Sequence, residues 1–85
     1  MTKEEFIKKI KELGFKNVEL KVDEDDDEVF IKHYNDSLKI RCKIWYSGNV
    51  TLYFSAAEKE LAIVCSVGKD FALFLIKKIE NGFNN

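Results

Sequence analysis

The chain has 85 residues, of which 46% are apolar and 34% charged, with a net charge of −1, no proline and two cysteines. It is too apolar for a disordered chain and too short for two cores, so one small domain is expected, burying roughly 60–65% of its unfolded surface. No run approaches the ~18–20 consecutive apolar residues of a membrane span, and charges fill the place where a signal peptide would be apolar, so a cytoplasmic protein without membrane contact is expected.

Thr2-Lys3-Glu4-Glu5 has the spacing of a capping box, and Phe6, Ile7, Ile10 and Leu13 follow at helical intervals. A first helix is therefore expected, stopped by the left-handed propensity of Gly14. From Val18 the period changes to two, with Val18, Leu20 and Val22 on one side and Glu19 and Lys21 on the other. The run Asp23-Glu24-Asp25-Asp26-Asp27-Glu28 then interrupts as a hairpin loop, and an extended pattern resumes over Val29–Tyr34. After a turn at Asn35-Asp36-Ser37 comes the strongest alternation in the chain. Leu38, Ile40, Cys42, Ile44 and Tyr46 face inward, and Lys39, Arg41, Lys43, Trp45 and Ser47 face outward. Following Ser47-Gly48-Asn49, Val50, Leu52 and Phe54 continue the inward set, while Thr51, Tyr53 and Ser55 look out.

Residues 56–67 admit two readings. Ser55-Ala56-Ala57-Glu58 has the form of a helix cap, yet Leu61–Val67 is β-branched enough to prefer a strand after a turn at 57–60. The strand is the favoured reading. A terminal helix follows from Asp70, with Ala72, Leu75, Ile76, Ile79 and Phe83 as its sheet-facing stripe and Leu73 and Phe74 off it. Those two are expected to pack on the first helix, the alternative being a dimer or partner surface. The fold class is thus α+β: two layers, an antiparallel sheet of three to five strands, and the N-terminal and C-terminal helices packed on one face. The other face is expected to stay open to solvent.

Charge is sorted along this chain. Six of the 15 acidic residues lie in Asp23–Glu28, leaving nine against 14 Lys and Arg, so a −6 segment sits on a +5 body. As a calcium loop the run fails, because Glu28 stands where an EF-hand needs glycine and Tyr34 where it needs the closing glutamate. Two roles remain. The run can be a solubilising loop that keeps a hairpin from pairing with other chains, or its carboxylates Asp23, Glu24, Asp25, Asp26, Asp27 and Glu28 can stand in for phosphates and dock on the basic site of a protein partner. An alternative nucleic-acid face comprises Lys32, Tyr34, Lys39, Arg41, Lys43, Trp45 and Tyr53, where cations track phosphates and rings stack bases. An ordinary solvated sheet face looks similar.

Catalysis has little support. His33 is the single histidine, Cys42 and Cys65 both read as reduced core residues, and the four glycines are scattered. No metal site or cofactor is expected, and the oligomeric state stays open between monomer and homodimer.

The order helix–strands–helix in under 90 residues is also the layout of double-stranded-RNA-binding domains and of HicA-type toxin ribonucleases, whose helix ends in a Gly-Phe like Gly14-Phe15. The lysine cluster of the former is reduced here to Lys69, and the acidic run stands where the latter carry a Gly-Ser-His segment, so neither activity transfers. Through its acidic run and Ile79-Glu80-Asn81-Gly82-Phe83-Asn84, the chain resembles a group of small phage anti-CRISPR inhibitors. These present acidic residues from loops to the DNA-reading site of a nuclease. The resemblance implies a non-enzymatic inhibitor with Asp23–Glu28 in that role.

Overall fold

The computed structural model describes residues 1–18, 27–35 and 37–83. The elements run α1 (Lys3–Glu12), β1 (Lys16–Val18), β2 (Glu28–His33), β3 (Leu38–Ile44), β4 (Val50–Ala56), β5 (Lys59–Val67) and α2 (Lys69–Phe83). The expected positions Leu20, Val22, Asp23 to Asp26 and Asp36, and the side chain of Phe83, lie outside the described residues.

Thr2 opens α1 with the expected reciprocal bonds: its hydroxyl accepts from the Glu5 amide at 3.1 Å, and the Glu5 carboxylate accepts from the Thr2 amide at 3.3 Å. The Thr2 amide, ahead of its hydroxyl, holds the Glu5 carboxyl below its ordinary range. Leu13 closes the helix, and Gly14 turns the chain at a φ of 103°, where a Cβ would be strained.

The five strands form one antiparallel sheet in the order β1-β2-β3-β4-β5, each paired with its neighbour in sequence. Within residues 56–67 the chain thus forms a turn and the fifth strand, Lys59–Val67, and not a helix. The β4–β5 turn is made by Ala57 and Glu58, both in left-handed backbone, as a two-residue hairpin with right-handed strand twist requires.

The alternation of β3 sets the layers. Ile40, Cys42 and Ile44 point to one face, joined across the ladders by Phe30 of β2 and by Val50 and Leu52 of β4. Onto that face pack Phe6 and Ile10 of α1 and Ala72, Leu73 and Ile76 of α2, giving one core in which all but Leu73 are at most 1% exposed. Both helices therefore cover the same side of the sheet. At ~25 cal/mol per Å² of apolar surface, side chains of this size each contribute on the order of 1.5–3 kcal/mol, so the core is what holds so small a domain together.

Three expectations change. Tyr46 is 78% exposed because β3 ends at Ile44 and the chain has already entered the turn. Cys65 is exposed, not inward, because Val64 pairs with the inward Leu52 and the next residue turns to the other face, in phase with Ile63. Leu73 joins the core, whereas Phe74 is 53% exposed on the solvent side of α2, stacked on Phe71. Among the described residues, no helix is long and apolar enough to cross a membrane.

Candidate functional site

Two sequence features meet at one end of the sheet. β2 begins where β3 ends, so Asp27 comes level with Trp45 and Tyr46. Its Oδ1 accepts the Tyr46 amide at 2.7 Å, its Oδ2 lies 3.8 Å from the Lys43 ammonium, and its side chain is 3% exposed. A carboxylate covered to that degree is tolerable only because a charged partner and a backbone donor satisfy it. Asp27 is accordingly part of the fold, and its expected role as a partner contact is corrected. Glu28, one position on, faces the helix side and pairs with Lys3 at the start of α1 at 3.3 Å, half-exposed. Close by are the N-terminal ammonium, 3.9 Å from Asp70, and the Lys69 ammonium, which donates to the Gly48 carbonyl at 3.1 Å. The acidic run therefore ends in two anchored carboxylates at the end of the molecule where both helices begin.

The face of the sheet away from the helices carries the second feature. Register aligns Lys16, Ile31, Arg41, Tyr53 and Ile63 in one row across all five strands. The Arg41 guanidinium lies over the Tyr53 ring, 4.2 Å from its centroid. On the next row the Lys43 ammonium lies 4.1 Å from the Trp45 ring centroid, and the indole N–H of Trp45 donates to the Thr51 hydroxyl at 2.7 Å. That hydroxyl also accepts the Ser66 amide at 3.1 Å, which ties β3, β4 and β5 together and explains why Thr51 is only 2% exposed. Val29 on the same face is 3% exposed, so this face is partly roofed and not uniformly wet as expected. Trp45 is therefore committed to a structural hydrogen bond, with its ring under a lysine.

Lys39, Arg41, Lys43, Trp45 and Tyr53 share the open face as expected, but Lys32 and Tyr34 do not. Lys32 pairs with Ile40, an inward residue, and so points under the helices. There its ammonium donates to Glu80 Oε1 at 2.7 Å and to the Leu13 carbonyl, while the Tyr34 hydroxyl donates to the same Glu80 oxygen at 2.9 Å. Burial, and then the Glu80 carboxylate, raise the Tyr34 hydroxyl above the ordinary tyrosine range, so it remains a donor. Both residues are withdrawn from the nucleic-acid face. Sequence reasoning missed Glu80 altogether, because nothing local marks a carboxylate on a terminal helix as the partner of a lysine on the second strand.

Among the described residues, His33 and Cys42 lie on opposite faces of the sheet. His33 is exposed opposite Lys39 on the open face, whereas Cys42 is fully buried on the other, its thiol pushed up to about 12 by burial. Among the described residues, no group of three His, Cys, Asp or Glu side chains is placed to hold a metal ion. Comparison with protein-family models, with characterised proteins and with solved structures returns no match.

Proposed function

We propose that this protein is a small non-enzymatic binding module, a phage or mobile-element inhibitor or regulator, that docks on the basic, nucleic-acid-binding site of a partner protein through Asp23, Glu24, Asp25 and Asp26. The observation that carries this reading is the anchoring of Asp27 between the Tyr46 amide and Lys43, reinforced by the Glu28–Lys3 pair. Two of the six carboxylates hold the segment to the fold, and the four that precede them in the chain supply the charge for the partner. Carboxylates carry the same sign of charge as the phosphates of a nucleic-acid strand. They attract a Lys- and Arg-lined groove over about a Debye length, ~8–10 Å at physiological salt.

The same arrangement weighs against phosphate binding at the Lys43 end of the open face. Lys43 already has Asp27 beside it, and Arg41 is two residues up the strand, roughly 7 Å away at ~3.4 Å per residue. A phosphate approaching there meets a screened cation and the root of the acidic run. One observation favours nucleic acid as the second reading: the Arg41 guanidinium over Tyr53 offers a planar cation on which an unpaired base can stack, with Lys39 next to it on the strand.

Capture experiments separate the two. Immobilised protein should retain nucleic-acid-binding proteins from an extract of its host, added duplex DNA should release them, and the variant with Asp23, Glu24, Asp25 and Asp26 all changed to Ser should retain none. Undiminished capture by that variant would remove the docking reading.

A further inference from the structure

We propose that β5 is a self-pairing edge: two copies of this chain join antiparallel about a twofold axis at Ile63, merging two five-stranded sheets into one.

Backbone geometry allows this at one set of residues. The Trp45 amide donates to the Asn49 carbonyl at 2.8 Å, and the Ala57 amide to the Ser37 carbonyl at 2.7 Å. In an antiparallel ladder the hydrogen-bonded pairs alternate, so Thr51, Tyr53 and Ser55 turn their amides and carbonyls toward β3. Leu52 and Phe54 then turn theirs toward Val64 and Ala62 of β5. Ile63, between those two, directs its own N–H and C=O to the side where, among the described residues, no strand is paired. An antiparallel partner centred on Ile63 exchanges both hydrogen bonds with it.

The side chains of β5 suit a copy of themselves. Leu61 and Ile63 are 64% and 45% exposed, and from Leu61 to Val67 there is neither a charge nor a proline, the usual devices that protect an edge. With Ile63 opposite Ile63 of the second copy, Ala62 meets Val64, Leu61 meets Cys65, and Lys59 and Glu60 fall at the two outer ends opposite Val67 and Ser66. No two like charges face each other. The register shifts that flank Ala62–Val64 keep the straight ladder short, so the pairing is weak and concentration-dependent. The opposite edge differs, since β1 begins with the charged Lys16. Pairing through β5 also makes the two open faces continuous, so that Tyr53 of one copy lies one strand and Arg41 two strands from the junction strand.

Light scattering or sedimentation over a wide dilution series tests this, with thermal melting of each variant to show that it folds. The wild type should move from monomer to twice that mass as concentration rises. Ile63→Lys, a change on an exposed position, should melt as the wild type does when dilute and associate roughly tenfold more weakly or worse, because two lysines then face each other about 5.5 Å apart between Cα atoms. Ile63→Cys in a Cys65→Ser background should give a covalent dimer on mild oxidation, since that spacing suits a disulfide. A wild type that stays monomeric at every concentration overturns the proposal. So does a dimer that survives Ile63→Lys, or one that is lost only on Phe74→Lys, which would place the contact on α2.

Discussion

Lys32 of β2 and Glu80 of α2 form an ion pair at 2.7 Å beneath the helices, 48 residues apart in the chain. With the Tyr34 hydroxyl on the same carboxylate oxygen and the Leu13 carbonyl on the same ammonium, this contact joins the end of α1, the middle of the sheet and the far end of α2. Lys32 lies in the same phase of β2 as Phe30, which is buried in the core.

Removing the shared acceptor should therefore cost more than an ordinary surface pair. Glu80→Ala leaves a three-quarters-buried ammonium and a half-buried hydroxyl without their anion, and a loss of about 2 kcal/mol is expected in urea denaturation. Lys32→Met, which removes the charge and keeps the stem, should be milder and should partly rescue the Glu80→Ala loss. A Glu80→Ala loss within the ~0.5 kcal/mol of a typical surface change would show that the pair is not holding the helix.

The two cysteines should behave differently. Alkylation of the native protein should modify Cys65, which is exposed, and reach Cys42 only on unfolding. Cys42 also carries a pH signature. In the unfolded chain its thiol ionises from its ordinary 9.0, whereas the folded protein keeps the proton to about 12. Its contribution is thus complete below pH 9 and lost as pH rises from 9 toward 12. Cys42→Val should flatten that part of the alkaline stability profile; an identical slope would assign it elsewhere.

The β4–β5 turn is a place where stability can be gained. Ala57 and Glu58 hold φ values of 51° and 66°, which side chains with a Cβ adopt at a cost of about 1 kcal/mol or more. Glu58→Gly should raise stability by up to about 1 kcal/mol in urea denaturation without altering any contact of the core. A loss of stability would mean that the Glu58 side chain supports the turn in some other way.

How much of this could be read in advance depended on distance along the chain. The α1 cap lies within four residues, Thr2 to Glu5, and β3 alternates without interruption, so both were legible and together they led to two helices on one sheet. The phase of β2 was not. Val29 and Phe30 are both apolar and both buried, so either phase looks hydrophobic from sequence, and Glu80, the carboxylate that receives Lys32 under the helices, sits on the last element. The same limit hid the role of Asp27, which looks like its five acidic neighbours until the end of β3 is brought beside it. Cys65 was misplaced because both phases of β5 are apolar, Leu61, Ile63 and Cys65 as much as Ala62 and Val64, and only pairing with β4 shows which one faces the helices.

The open face gives a further prediction. If nucleic acid is not its ligand, labelled single-stranded and duplex DNA and RNA should show no mobility shift at low salt. A shift that fades as salt rises and disappears in the Lys39→Ser, Arg41→Ser, Lys43→Ser variant would transfer the function to that face.

The central claim is tested most directly by titrating one isolated captured partner with the wild type and with the variant in which Asp23, Glu24, Asp25 and Asp26 are all Ser, at two salt concentrations. The expected result is a wild-type Kd that weakens with salt and a loss of roughly a hundredfold or more in the variant, about 0.7 kcal/mol for each carboxylate removed. Equal affinities for the two proteins would contradict it.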